Sequence, residues 1–315
     1  MKLETSVGRS PIAKNKKEDV LAVQKLLNSM VIDQLCYVGV PASLEYAATL
    51  FTADAIPPMG QLRESGRIDD PTVAAIVWFQ RNIIKMRSPD GVIGASGATL
   101  QGLSQPNLKG KMSQVITDLM TLPSVGAGKK LQEQDFKDTA ADLGVGVAEV
   151  KAVQSVESAG SGFIGDGRPV IRFEAHVFSR RTKHFFDAVY PNISVRKRND
   201  SLVQGGAAGR KREYDRLQKA MMLDRAAALE STSWGLFQIM GFNYAAVNLR
   251  SAEELVAAMY ESEGEQLKLF GEFVKKKGLT DFLKNKDWAG FARHYNGSEY
   301  GDYDKKMERA YKRYI

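Results

Sequence analysis

Glu157 is the residue whose neighbours best equip it to hold a proton near neutral pH. It stands in the last turn of a helix predicted from Val147, Val150, Val153 and Val156. The negative end of the helix dipole disfavours a second negative charge there. Val153 and Val156 before it and Phe163 after it offer desolvation, which acts in the same direction. A carboxyl group raised in this way can protonate a leaving oxygen, whereas an ordinary glutamate is ionised at that pH. Two more carboxylates follow closely. Asp166 lies in a Gly-Asp-Gly turn, where a turn role alone would account for it. Glu174 shares one face of a short predicted strand with Val170 and Arg172. Arg172 could neutralise it and His176 could orient it. Either carboxylate could activate water or stabilise a cationic transition state, and Glu174 ranks slightly ahead.

Other chemistries lack their residues. His176, His184 and His294 are dispersed, and no His-Glu-x-x-His or Cys-x-x-Cys spacing occurs, so neither metal nor cofactor is expected. No Gly-x-Ser-x-Gly elbow or P-loop is present. Cys36 is the single cysteine, which excludes an intramolecular disulfide and suits a reducing compartment. With no histidine nearby it reads as a packed or loop residue rather than a nucleophile. The net charge of +7 is uneven, with Arg196-Lys197-Arg198 and Arg210-Lys211-Arg212 bracketing a Gly-rich stretch. A solvated surface loop explains such runs, and attraction to a polyanion is the functional alternative. No nucleic-acid-binding signature accompanies them, so no nucleic-acid partner is expected.

The elements that must position Glu157 fall in two groups. A chain of 315 residues is comfortable for two domains. Residues 1–105 read as a small helical domain. Its first helix carries Val20, Val23, Leu27 and Met30 on one face, and its second opens at Asp70-Pro71, with Asp70 as N-cap. That second helix has the stripe Val73, Ile76, Val77, Gln80 and Ile83, with Trp78 and Phe79 flanking it. A third helix carries Thr99, Leu100 and Leu103. Gly66–Thr72 and Asp90–Thr99 look alike: each is a Gly/Asp turn followed by a Thr that opens a helix. Residues 106–130 read as a linker, centred on Pro123–Gly128. Residues 131–315 are mostly helical around a short strand at Ile171 and Phe173. Ser251 and Glu254 open one long helix, and Gly297 closes another that bears Trp288, Phe291, Ala292 and Tyr295.

Three short pieces then belong together: Val156–Gly160, Ser233–Met240 and His294–Gly297. A Glu-Ser at a helix end, a Gly-Leu-x-Gln turn and a Tyr-Asn-Gly turn, in that order, resemble the active-site kit of lysozyme-like enzymes such as soluble lytic transglycosylases and goose-type lysozymes. The longer strings Glu157–Phe163 and Asp166–His176 resemble the N-acetylmuramidase domain of modular bacteriophage endolysins, over roughly residues 131 to 315. Val23–Leu27 and Ala75–Gln80, with the two Gly/Asp turns, resemble the three-helix peptidoglycan-binding domain of wall hydrolases, although the segment from Asp33 to Ser65 is longer than is common there.

The resemblance implies a mainly α protein: a three-helix binding domain and a larger lysozyme-like α+β domain with a short β element. It implies Glu157 as the catalytic acid. Gly235 and Gln238 become a substrate-binding turn, with Gly235 needed where a Cβ would block the ligand, and Tyr295 and Asn296 face the acid. The implied activity is hydrolysis of the β-1,4 bond between N-acetylmuramic acid and N-acetylglucosamine in peptidoglycan. The rivals are a lytic transglycosylase and a catalytically idle wall-binding phage component. No apolar run reaches the ~18 residues of a membrane span, and the N-terminus has no signal-peptide pattern. The expectation is a monomer made in the host cytoplasm, without membrane insertion, that reaches the wall after holin-type release.

Overall fold

The computed structural model describes residues 2–29, 62–105, 114–115, 118–125, 130–157, 160–202 and 206–315. Most of Asp33 to Ser65, with Met30 and Cys36, and parts of the 106–130 stretch lie outside them. The chain divides into two compact units. One contains Met1–Thr121, Glu174–Val203 and Tyr214–Ala228; the other contains Leu122–Phe173, Gln204–Glu213 and Leu229–Ile315.

The first unit is built on α1 (Lys17–Ser29), α2 (Asp70–Asn82) and α3 (Ala98–Leu103). A two-stranded ribbon missed by the sequence reading joins them: β1 (Val7–Gly8) pairs antiparallel with β2 (Val92–Ile93). Strands this short carry no periodicity to read. Val20, Val23, Leu27, Ile76, Leu100 and Leu103 form the core, as their spacing predicts. The N-cap of α2 is Asp69 rather than Asp70: its carboxylate accepts from the Thr72 amide at 2.9 Å.

The two look-alike segments have one physical basis. Gln24 of α1, fully buried, donates to the Arg67 carbonyl and the Thr72 hydroxyl, and accepts from the Gly66 amide at 3.0 Å. Gln80 of α2, also fully buried, donates to the Val92 carbonyl and the Thr99 hydroxyl, and accepts from the Gly91 amide at 3.0 Å. Each glutamine closes a Gly turn and fixes the Thr that opens the next helix. Because the amides are satisfied inside the protein, these residues hold turns.

Trp78 and Phe79 do not merely flank the stripe of α2; both are fully buried. The cause lies in α7 (Gly206–Glu230), which follows α4 (Glu133–Leu143), α5 (Val147–Glu157) and α6 (Ala175–Arg181). It breaks at Asp224, whose φ and ψ are −157° and 97°. One face of α2 answers the break. The Trp78 indole donates to the Met222 carbonyl at 2.5 Å, Asn82 donates to the Leu223 carbonyl at 3.1 Å, and Arg81 pairs with the Asp224 carboxylate at 2.7 Å. Asp224 also accepts from the Ala227 amide, recapping the helix. Two backbone carbonyls at the break and the Asp224 carboxylate thus find side-chain partners spaced i, i+3, i+4 on one helix.

The second unit carries a three-stranded antiparallel sheet, β3 (Ile171–Phe173), β4 (Thr232–Trp234) and β5 (Ile239–Met240), with β4 in the middle. Register pairs Arg172 with Ser233 and Ser233 with Met240. The single long helix expected after Ser251 is two: α8 (Ala252–Glu261) and α9 (Glu263–Lys276), with Ser262 extended between them and capping the second. Ser262 and Glu265 repeat the Ser251–Glu254 spacing, a restart signal present in the sequence. After α10 (Thr280–Lys284), α11 (Trp288–Asn296) ends at Gly297 as expected, and α12 (Tyr303–Tyr314) packs along α5. The mainly α fold with a short β element is the one observed.

Candidate active site

Helix α5 carries Glu157 as its last described residue, and its apolar face is anchored: Val150, Ala152 and Val153 are buried, and α12 covers the helix. The carboxyl is half-buried at the helix end. Its one hydrogen bond among the described residues comes from the last residue of α11, where Asn296 Nδ2 donates to Glu157 Oε1 at 2.9 Å. Burial pushes Glu157 from 4.5 up to about 7, and the Asn296 bond offsets only part of that rise. A group titrating there is protonated in a useful fraction at neutral pH and can release its proton.

Tyr295 is the second piece of the same turn. Its hydroxyl donates to the Phe237 carbonyl at 3.2 Å, tying α11 to the turn between β4 and β5. Its ring stacks on Phe291 and meets Phe270 and Phe273 edge-on, and Phe237 stacks on Phe270 at 4.1 Å. Burial, reinforced by the nearby Glu157 charge, raises the phenol far above its usual range, so it stays a neutral donor. The three motifs separated in sequence therefore meet: Glu157, Tyr295-Asn296 and the Gly235–Gln238 turn.

The turn is held from within. Gln238, at φ +49°, accepts from the Ser233 hydroxyl at 2.8 Å and donates to the Gly235 carbonyl at 2.8 Å and the Val170 carbonyl at 3.3 Å. Both ends of its amide are engaged, so this side chain shapes the turn. Gly235 has φ +72°, and a Cβ would come within 2.8 Å of Gln266 and Met259. Its lack of a side chain thus answers packing against the protein, where the sequence reading expected a ligand.

Two residues that the sequence reading missed do the positioning. Gln266, fully buried, accepts from the Leu236 amide at 2.7 Å and donates to the Met259 carbonyl at 2.8 Å. Glu263, also buried, accepts from the Gly162 amide at 2.8 Å, the Ser161 hydroxyl at 3.1 Å and the Leu131 amide at 3.1 Å. It fixes the loop that follows Glu157. The restart at Ser262 was the available signal, since it turns the first residues of α9 towards this loop.

Asp166 sits at the tip of the 163–169 hairpin, where Arg168 grips it through Nε at 2.9 Å and Nη2 at 2.6 Å. Burial alone would raise Asp166, but the Arg168 contacts outweigh it and hold the carboxyl below 3.8. It is an ionised group already paired with a guanidinium. Glu174 lies beyond the end of β3, at the N-cap position of α6, with His176 Nδ1 at 3.4 Å from its carboxylate. It belongs to the first compact unit and Glu157 to the second. His294, although beside Tyr295, stacks on Phe282 at 4.8 Å and contacts the Gly290 carbonyl through Nδ1, a structural role. No cluster of three potential metal ligands occurs among the described residues.

A half-buried acid faced by Asn296, with Tyr295 beside it tied to the turn of a short antiparallel sheet, defines a lysozyme-like α+β protein. The chain belongs to the N-acetylmuramidase family, whose model matches residues 146–315. It is 40% identical over 84 residues to an endolysin of Enterobacteria phage PRD1, a match covering 24% of this chain and 54% of that protein. The chain thus spans about half the length of this curated relative. It is also similar to the crystal structure of the Burkholderia AP3 phage endolysin: 32% identity over 94% of this chain and 95% of that one, with a TM-score of 0.56.

Proposed function

We propose that this chain is an endolysin-type muramidase, a glycoside hydrolase of the lysozyme class. It cleaves the β-1,4 bond between N-acetylmuramic acid and N-acetylglucosamine in bacterial peptidoglycan. The observation that carries the reading is Glu157, raised to about 7 at the meeting point of three motifs. Glu157 protonates the leaving oxygen. Asn296 orients the acid, Tyr295 closes the wall beside it, and the Gly235–Gln238 turn lines the sugar cleft through its backbone. A second carboxylate, Glu174 or Asp166, handles water. Asp166 has the ionised state this needs, and Glu174 has a histidine partner.

Residues 1–105 are assigned to wall binding, 106–130 to a connecting segment and 131–315 to catalysis. The enzyme works as a monomer without metal or nucleic acid. No helix among the described residues is long and apolar enough to cross a membrane, and access to the wall is assigned to a holin.

The test is the product. Purified sacculi digested with the full chain and analysed by mass spectrometry should yield reducing N-acetylmuramic ends; 1,6-anhydro ends would replace hydrolysis by transglycosylation. Comparing Asp166→Asn with Glu174→Gln identifies the second group as the one whose loss exceeds about tenfold. If neither does, Glu157 acts alone.

A further inference from the structure

Within the first compact unit lies a cavity of about 720 Å³ that the activity above does not use. It is walled by Arg9 after β1, by Asp70 and Val73 in the first turn of α2, and by Phe185, Asp187 and Arg196 from the segment after α6. The size is that of a small-ligand pocket.

Its polar groups are unusually available. The Arg9 guanidinium lies over the Phe185 ring, 4.8 Å from the centroid, and enters no ion pair among the described residues. The ring fixes its direction and leaves its N–H groups unspent. Asp70 is exposed and makes no hydrogen bond or ion pair among the described residues. Asp187 is more deeply set. Its Oδ1 accepts from the buried Ser194 hydroxyl at 2.5 Å, while its buried Oδ2 has His184 at 3.3 Å and Arg196 at 3.5 Å but no hydrogen-bond donor. The wall is also strained: Lys183 and His184, neither of them glycine, are both left-handed, at φ +54° and +64°. Backbone strain of this kind collects where a side chain must be aimed. Val73 and Phe185 add a partly buried apolar surface.

Separate cationic and anionic groups beside a small apolar wall select a zwitterion with short aliphatic side chains. A neutral N-acetylated sugar would leave Arg9 and Asp70 unmatched when it displaced their water. A polyanion would meet Asp69, Asp70 and Asp187. We propose that this cavity binds the peptide stem of peptidoglycan, with Arg9 taking a stem carboxylate and Asp70 a stem ammonium. The inference rests on the wall-substrate reading above and adds a peptide contact to it, formed jointly by the N-terminal helices and a segment inside the muramidase match.

The probe is a synthetic stem tetrapeptide with alanine ends, a free diaminopimelate ammonium and free carboxylates, titrated calorimetrically into the full chain. Saturable binding is expected, weakened about tenfold or more by Arg9→Gln and by Asp70→Asn. Amidating the carboxylates should weaken binding to the unaltered protein by a similar factor and cost nothing further in Arg9→Gln. Acetylating the ammonium should pair in the same way with Asp70→Asn. The modified peptides keep the test decisive if a variant fails to fold. Absence of saturable binding, or equal binding of free and amidated peptide, would overturn the proposal. Reducing-end release from sacculi is measured in parallel. Cleavage without peptide binding removes this inference alone, whereas failure to cleave removes the muramidase reading.

Discussion

Two sheltered carboxylates, one in each unit, respond to burial in opposite ways. Asp19 of α1 is 5% exposed and accepts three hydrogen bonds, from the Glu4 amide at 3.0 Å and from the Thr5 amide and hydroxyl at 2.7 and 2.8 Å. Burial alone would raise it, but those donors hold it below 3.8. Glu157 has one hydrogen-bond donor among the described residues, Asn296, and rises to about 7. At Asp19 the donors outweigh desolvation, and at Glu157 desolvation outweighs the Asn296 bond. A fully satisfied carboxylate is scaffold, and an under-satisfied one is kept ready for chemistry.

The sharpest way to break that contrast is Glu157→Gln. Lysis of sacculi should fall about 10²–10⁴-fold, since the amide cannot deliver the proton, while circular dichroism reports an unchanged fold. The variant should also flatten one limb of the stability profile. Glu157 is raised in the folded state, so its contribution is fully present below about 4.5 and lost as pH rises through about 7. Denaturant titrations across that window should show the unaltered protein losing stability relative to Glu157→Gln. A parallel pair of curves would mean the acid is not raised.

Asp19→Ala should do the reverse: cost about 2–3 kcal/mol of stability by orphaning sheltered amides, with the shape of the activity–pH profile unchanged. The Asp19 contribution has the opposite sign in pH, present above 3.8 and lost on acidification through its lowered folded value. Gln266→Leu should cost about 1–3 kcal/mol, because the Leu236 amide loses its acceptor. It should also raise KM if the 235–238 turn lines the cleft. The smallest effect belongs to Asn296→Ala, a loss under about tenfold at the optimum. Removing this donor to the ionised form should move the alkaline limb of the activity profile to higher pH; movement to lower pH would assign the raised value to another group.

Much of the fold was legible where chemistry is local. The Pro-led start of α2, the Ser251 cap, the glycine stop at Gly297 and the stripe of α1 follow from near neighbours in sequence, although the cap of α2 fell one residue earlier than expected, on Asp69. So did the two Gly/Asp turns, whose likeness reflects Gln24 and Gln80 doing the same job. Less legible were β1, β2, β4 and β5 and the restart at Ser262, where too few residues repeat to form a pattern; only β3, at Ile171 and Phe173, was expected. The break of α7 was hidden too, because its partners Trp78, Arg81 and Asn82 lie more than a hundred residues earlier.

The candidate site divides in the same way. Sequence by itself determined that Glu157 stands on the Val147–Val156 helix, that Asp166 lies in a Gly-flanked turn, that Gly235–Gln238 is a turn and that Gly297 closes the helix bearing Tyr295, since caps and glycines act over a few residues. Only the tertiary structure decided that Asn296 donates to Glu157, that Gly235 yields to Gln266 and Met259, that Gln238 is spent within its own turn, and that Arg168 claims Asp166. The reason is physical. A pKa and a hydrogen-bond partner depend on what shares the same few ångströms of space, and Glu157 and Asn296 meet there although 139 residues separate them in sequence.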